Sequence, residues 1–276
     1  MSNHNLTIGF IGGGNMAQAI IRGLVKAGHP AENISIADPS IAQRTAIAAI
    51  DGALFVTTDN ELVARSAQVL VLAVKPQVMA EVAIILGKQS RPTQQVIVSV
   101  AAGITLDSLR DWFGKAAAIV RVMPNQPALI GAGMSGLCAT GEVSTAGRKA
   151  VDYLLSATGK SVWFDDESLL DGVTALSGSG PAYFYLIMEI MQDVAIELGF
   201  DHSTARLLST QTALGAAGVA AGTHEELALL RERVTSPGGT TAAALRVLED
   251  SGLRVILRRA LLAARDRAIE LGKVTN

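Results

Sequence analysis

The chain has 276 residues, 49% of them hydrophobic and 17% charged, with 23 basic against 25 acidic side chains for a formal charge of −2. A mean hydropathy of +0.36 excludes an intrinsically disordered polypeptide, and a near-neutral pI of about 6.1 gives no basic footprint for nucleic acid or an anionic membrane. Cys138 is the single cysteine, so an internal disulfide is excluded, and no Cys/His cluster has the spacing of a metal site.

In chain order, short β-branched runs at 7–11, 34–37, 69–74, 96–100 and 118–122 alternate with helix-like stretches at 17–27, 40–50, 59–65, 76–86 and 106–113. Continuous apolar strands separated by helices predict a parallel sheet covered on both faces. Residues 134–139 and 161–164 read as further strands, and the strand signal ends near Asp165. Pro181 then opens a helix that Gly199 closes. Its polar residues, Glu189, Gln192, Asp193 and Glu197, form one narrow stripe, and apolar side chains cover nearly all the rest. Such a helix needs cover on most sides. That predicts a second subunit, with the central helix of a monomeric bundle as the alternative. Helices at 203–221, 225–234, 240–250 and 252–272 complete the chain.

Two domains follow from this change of period: 1–164, an α/β dinucleotide-binding domain, and 165–276, all helical. Apolar runs such as 69–74 fall far short of the roughly 20 residues that span a bilayer. The start of the chain has no basic segment leading into an apolar core and a cleavage site. A cytoplasmic protein, with neither membrane nor nucleic acid as partner, is expected.

The first strand runs into GFIGGGNMAQAI, where Gly12, Gly14 and Ala17 fit G-x-G-x-x-G/A between a strand and a helix. Gly12 permits the tight turn, Gly14 lets the backbone approach a pyrophosphate, and Ala17 packs the helix on the strand. Gly12, Gly13, Gly14, Asn15 and Met16 are therefore candidate cofactor ligands. Asp38, ending the second strand, is placed to accept hydrogen bonds from the adenosine ribose of NAD and to repel the extra phosphate of NADP. Ser40 and Arg44 oppose that reading, since they hold a phosphate if Asp38 turns away, and Asp38-Pro39 is also an ordinary turn former. These residues leave NADPH and NADH both open.

Four further segments, LAVKPQ (72–77), RVMPNQPALIGAGMS (121–135), ALSGSGPAYFY (175–185) and RVTSPGGTTAAALRVLE (233–249), stand with the glycine turn over essentially the whole chain. Together they resemble the pyrroline-5-carboxylate reductase family, the Ser-Pro-Gly-Gly-x-Thr run being the most specific. The resemblance implies NAD(P)H-dependent reduction of 1-pyrroline-5-carboxylate to L-proline, the last step of proline synthesis. It also implies a Rossmann-type, mostly parallel sheet domain followed by an all-α dimerisation domain, with NADPH the usual cofactor. A homodimer, in some members a decamer, and an active site shared between protomers are implied as well.

By the same resemblance Ser236, Gly239, Thr240 and Thr241 form the cradle of the substrate carboxylate, and the Thr241 hydroxyl bonds the ring nitrogen. Chemistry supports this, because an open helix N-terminus binds a carboxylate. The residues alone favour an ordinary helix start capped by Ser236 or Thr235. Lys75 is placed near cofactor phosphate or ribose, Ala73 and Val74 beside it, Asn60 at the adenosine, Ala101 and Ala102 along the nicotinamide, and Glu167 near the bound product. Gln126, where the family has threonine, and Arg233, where it often has an uncharged residue, depart from the pattern.

A protonated iminium already carries the charge that draws a hydride, so no strong general acid is required. His4, His29, His202 and His224 accordingly lie outside the motifs and read as solvated or capping residues. A hydroxyacid dehydrogenase is the first alternative, but it needs a lysine on the helical domain, and 165–272 contains none. A nucleotide sensor with a dead site is the second. It would keep the glycine turn without an open TSPGGTT helix start.

Overall fold

The structure, a computed structural model, describes residues 5–89 and 94–274. Packing divides them into two compact units, one running through Ser179 and including the residues from Ala264 onward, the other Gly180–Ala263.

The first unit is built on an eight-stranded sheet. Its strands are β1 (Ile8–Ile11), β2 (Ile34–Ala37), β3 (Phe55–Thr57), β4 (Val69–Leu72), β5 (Val96–Ser99), β6 (Ala118–Met123), β7 (Gly133–Ala139) and β8 (Gly159–Phe164), in the order β3-β2-β1-β4-β5-β6-β7-β8. All neighbours pair in parallel except β6 and β7. Helices α1 (Asn15–Lys26), α2 (Ile41–Ala48), α3 (Asn60–Ser66), α4 (Pro76–Gly87), α5 (Leu106–Phe113) and α6 (Thr145–Ser156) connect the strands, and α7 (Leu169–Val173) follows β8.

Alternate residues of each central strand feed opposite faces. Phe10, Val71, Val98 and Val120 pack with Ile20, Ile21 and Leu24 of α1 and Leu154 of α6. Ile11, Leu70, Leu72, Ile97 and Ile119 pack with Val63 of α3, Met79 and Leu86 of α4, and Leu109 of α5. The doubly covered parallel sheet expected from the apolar runs is therefore present. Each such side chain, fully removed from water, contributes roughly 1.5–3 kcal/mol.

Four features differ from the sequence reading. Strand β3 has three residues, too few to show a period, and helix α6 lies in the stretch between the strands at 134–139 and 161–164, to which no element was assigned. His29 is not solvated: it is 3% exposed, with Nδ1 3.1 Å from the Tyr153 hydroxyl. His202 and His224 are exposed, and His4 lies outside the described residues. The first compact unit also runs beyond residue 164. Leu170 and Ala175 are buried, and a Cβ at Gly136 of β7 would come within 2.9 Å of Val173, so α7 is pressed onto the sheet.

The second unit comprises α8 (Gly180–Glu197), α9 (His202–Ala221), α10 (Leu227–Arg233), α11 (Thr240–Asp250) and the first part of α12 (Leu253–Val274). Of α8 only Gly180 is buried, while Phe184, Leu186 and Ile190 are 65%, 56% and 54% exposed. Among the described residues no helix is long and apolar enough to cross a membrane.

Candidate active site

Strand β1 lies between β2 and β4, where the chain winds in opposite directions on either side, and open α/β sheets bind ligands beyond the strand carboxyl ends at that point. Gly12 leaves β1 there with φ of 95°, its N–H bonded to the Ala37 carbonyl at 2.8 Å. A Cβ at this position would stand 2.8 Å from the Ala73 carbonyl group, so both the turn and the space require glycine. Gly14 is the N-cap of α1 without a side-chain cap, and nothing lies within 4 Å of where its Cβ would be. An uncovered helix N-terminus with open backbone fits a pyrophosphate. Asn15 is exposed, Met16 half-buried and Ala17 fully buried against the sheet.

Asp38 is turned inward. Its Oδ2 accepts the Gly13 N–H and its Oδ1 the Ser40 N–H, both at 2.7 Å, and the residue is 8% exposed. The carboxylate thus braces the glycine loop rather than facing outward to a ribose. Ser40 caps α2 through its Oγ, and Arg44 Nη1 donates to the carbonyls of Asp38 and Pro39 at 2.8 and 2.9 Å. A guanidinium so fixed over the β2–α2 turn presents its remaining donors to an anion. Gln18, which the sequence reading did not single out, also supports the loop, its Nε2 donating to the Gly13 carbonyl and to Gln43 Oε1. It is a half-buried polar residue on an apolar helix, and that was the only signal available.

Along the same edge, Asn60 begins α3 behind the Asp59 cap, Ala73 and Val74 follow β4, and exposed Lys75 is the N-cap of α4. Buried Ala101 and exposed Ala102 follow β5. The structure brings the expected cofactor residues together on this edge of the first unit. Glu167 also lies in the first unit, its Oε1 accepting from Arg121 Nη1 at 2.7 Å and from the Leu106 N–H at 2.9 Å. Burial pushes the nearby Asp171 carboxyl up, partly offset by Arg121 and reinforced by Glu167. Asn125 joins β7 to the π-turn Thr174–Gly178, accepting from Met134 N–H and donating to the Ser177 carbonyl and hydroxyl.

In the second unit, Ser236, Gly239, Thr240 and Thr241 form one turn at the start of α11. Neither Ser236 nor Thr235 caps it, unlike the ordinary capped start that the residues alone favour. The Thr235 hydroxyl donates back to the Arg231 carbonyl at 2.6 Å, and the N-cap is Gly239 with no side-chain bond. Gly238 has φ of 71°, and a Cβ on Gly239 would collide with Ser236 Oγ. The first N–H groups of α11 are consequently left for a ligand. Arg233 is paired with Glu225 at 2.8 Å across α10.

Fold and glycine loop define a nicotinamide-dinucleotide-dependent oxidoreductase. Residues 167–271 match the family model for pyrroline-5-carboxylate reductase dimerisation, and 7–103 that for NADP oxidoreductase, coenzyme F420-dependent. The chain is 47% identical over 266 residues to the pyrroline-5-carboxylate reductase of Pseudomonas aeruginosa, covering 96% of this chain and 97% of that one. It is similar to the solved structure of the Coxiella burnetii enzyme (TM-score 0.92, 41% identity, 97% and 98% of the two chains). It is also similar to that of the Plasmodium falciparum enzyme with NADP bound (TM-score 0.86, 28% identity, 98% and 99%). The chain belongs to the pyrroline-5-carboxylate reductase family.

Proposed function

We propose that this chain reduces the C=N bond of 1-pyrroline-5-carboxylate to L-proline with NADPH, closing proline biosynthesis in the cytoplasm. The observation that carries the reading is the start of α11: two threonines and two glycines leave helix N–H groups uncapped in a chain that also carries an open dinucleotide loop.

The residues at the glycine loop fit the cofactor, since Gly14 leaves room at a helix N-terminus and Asp38 is withdrawn. Bound NADPH supplies the hydride. Gly12, Gly13, Gly14, Asn15 and Met16 hold the pyrophosphate, with Asn60, Ala73, Val74 and Lys75 along the nucleotide and Ala101 and Ala102 at the nicotinamide. Ser40 and Arg44 take the 2′-phosphate, and that arrangement favours NADPH over NADH. Asp38 contributes by holding the loop. Ser236, Gly239, Thr240 and Thr241 grip the substrate carboxylate, and the Thr241 hydroxyl bonds the ring nitrogen. Placement of the imine carbon and fixed dipoles at the nitrogen lower the barrier. The apolar surface of α8 supports a homodimer as the working unit, from which a decamer can be built.

Incubation with NADPH and 1-pyrroline-5-carboxylate tests this: L-proline forms as NADPH is consumed, and 3-hydroxy acids with NADP give no turnover. Thr241→Ala lowers kcat/KM by roughly 10- to 100-fold, the loss expected for one hydrogen bond to a charged group. An unchanged kcat/KM in the folded variant would remove Thr241 from the reaction.

A further inference from the structure

The Arg121–Glu167 pair joins a buried arginine to a half-buried glutamate in the first unit, with side chains 7% and 27% exposed. Arg121 stands on β6 opposite Ser99, the last residue of β5, so the pair lies at the carboxyl end of those strands. The same Glu167 oxygen also accepts the N–H of Leu106, first residue of α5. Glu167 therefore satisfies one of the N–H groups that a helix start leaves unpaired, and its charge suits the positive end of the helix.

Leu106 closes the 100–105 loop, which carries Ala101 and Ala102. The other end of that loop is pinned by Val100 N–H to the Leu72 carbonyl (3.2 Å) and Ala101 N–H to Ser99 Oγ (3.4 Å). The far end also carries buried Ile104 and the Thr105 cap of α5, but that cap acts within the helix and the Glu167 bond ties the helix start to the segment after β8. A dinucleotide fold divides its ligand between two halves about the central crossing. The loop after β5 is in the half that does not carry the glycine turn, and so faces the nicotinamide. Apolar residues of similar volume would fill the site of a buried ion pair at no greater cost in stability. What apolar residues cannot supply is an acceptor aimed at Leu106 N.

We infer that Arg121 and Glu167 are positioning residues: Arg121 aims the Glu167 carboxylate, and Glu167 anchors the loop against which the nicotinamide ring is held. This rests on the cofactor reading above. It assigns Glu167 a task that does not involve touching substrate.

Arg121→Met/Glu167→Met in the full chain removes both charges together and leaves neither buried alone. Amide exchange of residues 101–106, measured without cofactor, is expected to rise by roughly 10-fold or more while that of 12–16 stays as in the parent. With NADPH and 1-pyrroline-5-carboxylate, kcat falls by about 10- to 100-fold, as expected for a displaced reacting group, and the NADPH Kd stays within about twofold. Glu167→Gln, which keeps an acceptor for Leu106, recovers most of both. Unchanged exchange at 101–106 overturns the inference, as does a Kd that weakens in step with kcat. If the double variant does not fold, Glu167→Ala, which removes the acceptor, is compared with Glu167→Gln, which keeps it. Faster exchange at 101–106 in Glu167→Ala alone supports the anchor, and equal exchange in the two overturns it. The exchange measurement needs no turnover, so a parent lacking reductase activity would refute the proposed function without touching this result.

Discussion

At the scale of single residues, Asp38 shows how a correct rule can point the wrong way. An acid at the end of the second strand ordinarily reads the ribose hydroxyls and repels a 2′-phosphate. Here both oxygens are spent on backbone N–H groups of Gly13 and Ser40. The cation at this turn is Arg44, half-buried and fixed by two carbonyls. Arg44→Ala is therefore expected to lower kcat/KM for NADPH by about 10- to 100-fold and to leave that for NADH within about twofold. Equal losses with both cofactors would remove Arg44 from phosphate recognition. The orientation of Asp38 was not legible in the sequence, because it depends on which donors the folded turn presents. Gly12, Gly14 and Ala17 were legible, since their spacing is dictated by backbone geometry alone. Whether Ser236 or Thr235 caps α11 was not legible for the same reason as Asp38: a hydroxyl has several backbone partners within reach, and Thr235 chose the preceding helix.

Among the elements, those with long apolar runs or clear capping residues were read directly from the sequence. Helix α9 is one: Asp201 precedes it and accepts from the N–H groups of Ser203 and Thr204 and from both hydroxyls. These bonds hold its carboxyl well below the ordinary value of 3.8. A depressed folded value means that the cap stabilises fully above the unfolded value, near pH 4, and less as pH falls through the folded one. Asp201→Ala should lower the melting temperature by a few degrees at pH 7, with the gap to the parent narrowing below about pH 4. A gap that is constant with pH would contradict the cap. Strand β3 and helix α6 escaped notice on physical grounds. Three residues carry no period, and α6, with Arg148, Lys149 and Asp152 among its twelve residues, mixes charge into a moderate apolar stripe. The π-turn at Thr174–Gly178 has no sequence signature. It arises from the Ser179 N–H reaching the Thr174 carbonyl at 2.8 Å.

For the whole molecule, α8 leaves a large apolar surface uncovered. Leu186, Ile187 and Ile190 are each about half exposed or more, and exposed apolar area of that kind marks an interface. Sedimentation at micromolar concentration is expected to find a dimer or a larger assembly of dimers, and a stable monomer would contradict the burial argument. The division of labour within the chain is equally open to test. The account requires one unit to grip a diphosphate at Gly12–Met16 and the other to grip a small carboxylate at Gly239–Thr241. A crystal structure with NADP and L-proline both bound tests this most directly. The account predicts the pyrophosphate on the N–H groups opening α1, the 2′-phosphate at Ser40 and Arg44, and the proline carboxylate on the N–H groups opening α11. Proline bound away from residues 236–241, or the pyrophosphate away from Gly14, would contradict it.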